Sequence, residues 1–296
     1  MKIRKAVIPV AGKGTRFLPA TKQIPKEMIP ILDIPMIHYV VKEAADAGVE
    51  QIVLVNGYGK QSIEDYFDFN KELEKFLEDN GKEHELKLVR EIGNLVDIVS
   101  IRQKQQLGLG HAVLCAEKVI GDEAFAVILG DDIVMARTPV TKQLASVFQR
   151  EGARGVVGVM EIDPKLTHKY GVVAGEFLAG DNRTLLMEKM VEKPAPENAP
   201  SNLATPGRYI FSSEIFECLH RIKPGVGGEY QLTDAIQELA KRGKVFAHLF
   251  EGRRYDTGSL PGYIEAIVDF AFERPDTRDV IRSIVTKAYK EKVERS

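Results

Sequence analysis

The chain has only two cysteines, Cys115 and Cys218. That is too few for a disulfide framework, and each sits in an apolar, helix-patterned context where a buried free thiol is expected, which fits a reducing cytoplasm. Net charge is nearly absent: 41 Lys and Arg against 43 Asp and Glu leave −2. Such a balance argues against nucleic acid or a membrane surface as the main partner and favours small ligands. Long apolar runs are absent too. The start Met1-Lys2-Ile3-Arg4-Lys5 has the charge of a signal-peptide head, but the apolar stretch behind it is short and breaks at Gly12, so no export signal and no transmembrane span are expected. No repeat, low-complexity tract or linker divides the 296 residues, whose 44% hydrophobic content can bury one large α/β core or two small ones.

Two common phosphate motifs are missing. A Walker loop needs a glycine five positions before Gly12, where Val7 stands, and the dinucleotide fingerprint needs a third glycine at the position of Phe17. Pro19 and Pro25 keep the following segment out of a helix interior, so no long helix starts at these glycines. What is there instead is a β-branched run, Ala6 to Val10, too short for a helix, feeding a loop with Gly12 and Gly14. Lys13, Arg16, Lys22 and Lys26 follow, with no acid before Glu27. Cations crowded on a loop after a strand repel one another unless a polyanion binds there, and a triphosphate fits best. Glycine spacing alone leaves a solvated surface loop equally compatible.

Further along, Pro35 to Ala47 has the spacing of an amphipathic helix and Gln51 to Val55 that of a second strand, together opening a parallel α/β sheet. Lys60 to about Gly81 reads as a solvated helical pair inserted at the surface, and Leu86 to Val89 and Asp97 to Arg102 as strands. The second runs into Gln103 and the glycines Gly108 and Gly110, which can read a base edge or simply open a helix; His111 reads as structural. The apolar strand Ala124 to Leu129 delivers Gly130-Asp131-Asp132 to its carboxyl end, where carboxylates can hold a divalent cation or cap a turn; capping is the preferred reading for Asp132. Helix pattern returns at Pro139 to Arg150, and strand pattern at Gly155 to Ile162, Tyr170 to Phe177 and Leu185 to Val191. Glu192 and Lys193 follow, suited to sugar hydroxyls and a phosphate but also to a surface ion pair. Strand sequence resumes at Gly207 to Ile210, a helix opens within Gly228 to Ile236, and Val245 to Phe250 reads as an edge strand. Asp256 stands in a turn before the last two helices, which Thr257 or Ser259 can cap.

The run KGTRFLPATKQIPKEMIPILDIPMIHYVV, followed in order by GDD, YGV and VEKP, resembles the sugar-1-phosphate nucleotidyltransferases over nearly the whole chain. Within them it is similar to the uridylyltransferase branch, since Ala11-Gly12 stands where the dTDP- and ADP-glucose branches typically carry a Gly-Gly pair. The resemblance implies an α/β, Rossmann-like nucleotidyltransferase fold with a mixed, mainly parallel central sheet flanked by helices. It places the catalytic domain in residues 1–259 and leaves 260–296 as C-terminal helices, not an independent domain, available for a subunit contact in a homo-oligomer. The implied reaction is uridylyl transfer from UTP to glucose 1-phosphate, giving UDP-glucose and pyrophosphate.

By resemblance, Ala11, Gly12 and Gly14 bind the nucleotide and Gln103 and Gly108 its base; Arg16 and Lys26 hold the departing phosphates. Lys193 holds the sugar phosphate, Gly171, Glu192 and Glu229 line the sugar, and Asp131 with Asp256 holds Mg²⁺. A phosphate monoester is already anionic at neutral pH, so the chemistry needs positioning and charge neutralisation rather than a base. Use of dTTP or another sugar phosphate stays open, as does a nucleotide-sugar-binding regulator without catalysis. The intact set of Arg16, Lys26, Asp131, Lys193 and Asp256 speaks against the regulator.

Overall fold

In the computed structural model, which describes residues 2–293, the first apolar run is strand β1 (Lys5–Pro9), with Ala6, Val7 and Ile8 fully buried. Successive side chains of a strand face opposite ways, so burial of all three requires cover on both faces of the sheet. No long helix follows. The chain makes three 3₁₀ turns, Thr15–Phe17, Ala20–Lys22 and Lys26–Met28. A small hairpin of β2 (Pro30–Ile31) and β3 (Ile34–Pro35) then leads into helix α1 (Met36–Asp46). Strand β4 (Gln51–Asn56) returns parallel to β1.

Helices α2 (Gln61–Phe67), α3 (Lys71–Asp79) and α4 (Glu83–Gly93) lead to β5 (Asp97–Arg102), parallel to β4. The strand expected at Leu86 to Val89 is part of α4. Leu86, Val89 and Ile92 recur at helical spacing and turn inward together between exposed charges, a period that outweighs the short apolar run. The start of the expected insertion is not solvated either. Ile63 and Phe67 of α2 join the core beside Ile8 and Leu54, and Lys60 is buried with its ammonium 2.6 Å from Glu27 Oε2.

The chain continues through α5 (Leu109–Cys115), α6 (Glu117–Ile120), β6 (Phe125–Ile128), β7 (Ile133–Met135) and α7 (Val140–Glu151). Then come β8 (Gly155–Glu161), β9 (Gly171–Phe177), β10 (Thr184–Glu192), β11 (Leu203–Thr205) and β12 (Arg208–Phe211). Helices α8 (Glu214–Arg221) and α9 (Leu232–Ala240), strands β13 (Val245–Leu249) and β14 (Arg253–Tyr255), and helices α10 (Leu260–Glu273) and α11 (Pro275–Val293) complete it. The central sheet runs β11-β9-β10-β13-β8-β12-β6-β1-β4-β5 and is mixed; β12, β10 and β11 oppose the direction of the others. β13 is internal rather than an edge, paired with β8 on one side and β10 on the other, which explains its unalternating buried Val245-Phe246-Ala247. Because β11 also pairs with the end of β8, the sheet curls into a ring that carries the β10 terminus toward the end of β6.

One apolar layer lies on each face of this sheet, and a third small core packs Ile133 and Tyr255 against Ala266 and Phe270 of α10. Cys218 is buried and Cys115 half-buried, both free. A buried ion pair ties the layers: Arg208 on β12 donates to Glu43 on α1 at 2.8 Å, while Glu43 also accepts from the Thr141 backbone and hydroxyl. Removing one partner leaves the other charge unpaired in the interior. Glu43→Ala is therefore expected to lower stability by about 3–5 kcal/mol in urea denaturation; an unchanged midpoint would show that the pair is dispensable.

Candidate active site

The antiparallel ribbon β7–β14 brings two distant turns together. Its register pairs Tyr255 with Ile133 and Arg254 with Val134, so Asp256, one step past the ribbon, arrives beside Asp131 and Asp132. Thr257 is fully buried and its hydroxyl donates to the Asp131 carbonyl at 2.8 Å, so it fastens the turns and leaves helix capping to Ser259, whose oxygen accepts from Gly262 N–H. Gly258 then faces both carboxylates. A Cβ there would stand 2.7 Å from Asp131 Oδ2 and 3.4 Å from Asp256 Oδ1.

Asp131 accepts from the Lys26 ammonium at 2.5 Å. Burial opposes ionisation of its carboxyl, but Lys26, with help from Arg16, outweighs that and holds it below the ordinary carboxylate range. Asp132 behaves in the opposite way: burial dominates and pushes it up to about 6, although Arg254 lies against its carboxylate. It is a buried ion-pair partner, not the turn cap expected from its sequence position. The structure holds it from two sides, since Arg208 donates to its carbonyl at 2.6 Å. Arg16 reaches the same place, with Nη1 3.4 Å from the Gly258 carbonyl.

Across the cleft, Gly171 and Glu192 are register partners at the ends of β9 and β10. Thr233 donates to Glu192 at 3.2 Å. Lys193 has φ of +44°, a left-handed conformation costly for a residue with a Cβ, and its N–H is fixed by the Tyr170 carbonyl at 2.9 Å. Its ammonium is 3.2 Å from Glu192, yet its side chain is more than half exposed and lines the cleft. An exposed pair of this kind contributes little to stability, so it gives no reason for the strained backbone.

The glycine loop forms the adjoining wall. Gly14 takes φ of +65°, and a Cβ there would press on Lys26 at 3.1 Å; Gly12 also abuts Lys26. The Ala11 carbonyl accepts from Gln106 at 2.5 Å, which ties this loop to the segment after β5. Gln103 is buried, its amide nitrogen 3.2 Å from the Gly108 carbonyl and 3.0 Å from His111 Nδ1. Burial lowers the pKa of His111, in keeping with its structural reading. Gly108, at φ of +99°, sits so close to Glu229 and Tyr230 that a Cβ would be 2.8 Å from Glu229 Cβ. Backbone bonds from Tyr230 to Leu107 and from Gly110 to Tyr230, both 2.8 Å, lock the two segments together.

A cleft of about 620 Å³ opens between these walls. Of the residues expected from sequence, Arg16, Asp131, Gly171, Glu192, Lys193, Glu229 and Asp256 line it. Ala11, Gly12, Gly14, Lys26, Gln103 and Gly108 are not among its lining residues, and Lys26 is joined to it through Asp131. Sequence reasoning passed over Tyr170 as a side chain, Gln106, Gly258 and Arg254; the one available signal was a cation placed directly before the Tyr255-Asp256-Thr257-Gly258 turn. Among the described residues no three His, Cys, Asp or Glu side chains cluster as a complete metal cage. Two convergent carboxylates at a glycine-lined cradle nevertheless fit a hard divalent cation that takes its remaining oxygens from substrate and water.

The sequence profile described as nucleotidyl transferase matches residues 5–272. The chain belongs to the nucleotidyl transferase family. This nucleotidyl transferase is 50% identical over 278 residues to the UTP–glucose-1-phosphate uridylyltransferase of Bacillus subtilis, a match covering 94% of each chain. It is similar in structure to a UDP-glucose pyrophosphorylase complexed with UDP-glucose, at 46% identity and a TM-score of 0.84 over 92% of this chain and 100% of that one. A UTP-bound UGPase from Acinetobacter baumannii is similar at 40% identity and a TM-score of 0.86, over 96% of this chain and 99% of that one.

Gly258→Ala tests the cradle directly. The added methyl would push the Asp131 carboxylate aside while the buried Thr257 clamp stays in place, so Mn²⁺ affinity measured by calorimetry should fall about tenfold or more with little change in melting temperature. Unchanged affinity would show that cations do not enter between the two aspartates.

Proposed function

We propose that this nucleotidyl transferase transfers a uridylyl group from UTP to α-D-glucose 1-phosphate, giving UDP-glucose and pyrophosphate. The observation that carries the reading is the convergence of Asp131 and Asp256 in one cleft with Arg16 and Lys193, in a chain half identical to a uridylyltransferase of that specificity. The nucleophile is an oxygen of the sugar phosphate and the electrophile the α-phosphorus of UTP. The P–O bond between the α- and β-phosphates breaks, and pyrophosphate leaves with its electron pair. No proton has to be removed from the attacking oxygen.

Repulsion between two polyanions is the obstacle, and the residues around the cleft are suited to it. Lys193 presents its ammonium to the glucose phosphate, with Glu192, Gly171 and Glu229 toward the sugar. Arg16 and Lys26 hold the departing β- and γ-phosphates beside the backbone of Ala11, Gly12 and Gly14. Gln103 and Gly108 receive the uracil. Asp131 and Asp256 hold Mg²⁺, which when bound neutralises phosphate charge. Lys26, now on Asp131, is within side-chain reach of the glycine loop and can turn to the triphosphate as the cation takes its place.

No described helix is long and apolar enough to cross a membrane, and the two free thiols suit the cytoplasm. Helix α11 leaves Val280, Ile284, Val285 and Tyr289 exposed, a surface that suits contact with a second copy in a homo-oligomer.

Pyrophosphate release with a panel of nucleoside triphosphates and sugar phosphates tests the reading: UTP with glucose 1-phosphate should turn over fastest, and no turnover or a preference for dTTP would overturn it. In the same assay Lys193→Ala should lower turnover on the order of 10²–10³-fold. Its KM should rise for glucose 1-phosphate and stay nearly constant for UTP. Near-normal values for both would reduce Lys193 to a surface pair with Glu192.

A further inference from the structure

Arg254 has more partners than pairing with Asp132 requires. Its side chain is 11% exposed at the cleft wall. Nε lies against Asp132 Oδ1, Nη1 donates to the Tyr170 hydroxyl at 2.7 Å, and Nη2 stands 3.8 Å from Asp256 Oδ1. The guanidinium carbon is also 5.1 Å from the centre of the Tyr170 ring. One arginine thus touches both aspartate-bearing turns and the segment opposite them. Tyr170 in turn holds the backbone N–H of Lys193 through its carbonyl, at the residue forced to positive φ.

The bland alternative is that Arg254 only neutralises buried Asp132. A single ammonium or guanidinium contact would suffice for that. The planar fork does more, since its three nitrogens point in fixed directions to the Asp132 turn, to Tyr170 and to Asp256 in its own turn, a geometry that lysine cannot reproduce. The segments are the ones whose spacing matters. Asp131 and Asp256 stand on one side, and Lys193 on the other.

We infer that Arg254 is a positioning residue that ties the aspartate turns to the Tyr170–Lys193 arm, fixing the distance between the carboxylate pair and the sugar-phosphate lysine. This rests on the uridylyl transfer proposed above. Arg254 itself makes no bond to the reacting atoms. It acts through Tyr170, so its loss falls on the sugar-phosphate side of the cleft, while the glycine loop and the Gln103 segment, which it does not touch, keep UTP in place.

Arg254→Lys keeps a cation beside Asp132 and gives up the fork. It should fold and melt near the wild type, with KM for glucose 1-phosphate raised about tenfold or more, turnover lowered, and KM for UTP within about twofold of wild type. UDP-glucose affinity by calorimetry, which needs no turnover, should fall in parallel. Tyr170→Phe leaves Asp132 paired and the ring in place, and should shift the same quantities in the same direction by less. If Arg254→Lys does not fold, Tyr170→Phe alone decides. Normal glucose 1-phosphate KM and normal UDP-glucose affinity in the folded variants, or equal losses for both substrates, would overturn the inference while leaving the reaction standing. A wild-type protein that forms no UDP-glucose from UTP and glucose 1-phosphate would overturn both.

Discussion

The short ribbon of Ile133–Met135 against Arg253–Tyr255 is the constraint on which the cleft depends. Three residue pairs set its register, and a slip of one residue would turn the side chains to the wrong face. Tyr255 and Ile133 occupy one core with Phe270 of α10, so a slip would expose both. That packing is what keeps Asp256 opposite Asp131. The Thr257 hydroxyl on the Asp131 carbonyl and the Arg208 guanidinium on the Asp132 carbonyl then fix the turn at the level of single atoms. A hydrophobic contact just outside the cleft lining thereby constrains the spacing of two carboxylates within it.

Electrostatics explains why so much is spent on that spacing. Like charges gathered in a cleft repel strongly where water is scarce, and each must be answered by an opposite charge at short range. Asp131 is answered by Lys26 and Asp132 by Arg254; beneath the glycine loop the buried Glu27 is answered by Lys60. Lys193 differs from these. Its partner Glu192 is the preceding residue, and its side chain stays open to the cleft on a left-handed backbone. Strain at a residue that gains little stability from its contacts supports the phosphate-binding role proposed for it.

Much of the fold was legible in the sequence because burial on both faces leaves unbroken apolar runs. Ala6 to Val10, Gln51 to Val55 and Ala124 to Leu129 lie in parallel strands close to the expected limits, and the prolines after Arg16 do exclude a long helix. Local pattern failed where length or partner decides. Leu86 to Val89 was too short to separate strand from helix until Ile92 completed the period, and nothing in Val245 to Phe250 states that β10 would pair on its far side. For the cleft, resemblance marked the loop, the acidic turns and Lys193. It could not mark Arg254, Gln106 or Gly258, because what each of them meets lies across a long stretch of chain. Asp132 was misread for the same reason: a carboxylate in a turn looks like a cap until an arginine far along the chain is found against it.

The ring formed by β8, β13, β10, β9 and β11 sets one wall of the cleft and the ribbon the other, and the proposed chemistry depends on one cation held between the two aspartate turns at the ribbon. Anomalous diffraction from crystals soaked with Mn²⁺ and a non-hydrolysable UTP analogue measures this most directly. A single Mn²⁺ peak bound by carboxylate oxygens of both Asp131 and Asp256 is expected, with Lys26 turned from Asp131 toward the triphosphate. A peak held by the triphosphate alone, with Lys26 still on Asp131 and Asp256 uninvolved, would contradict it.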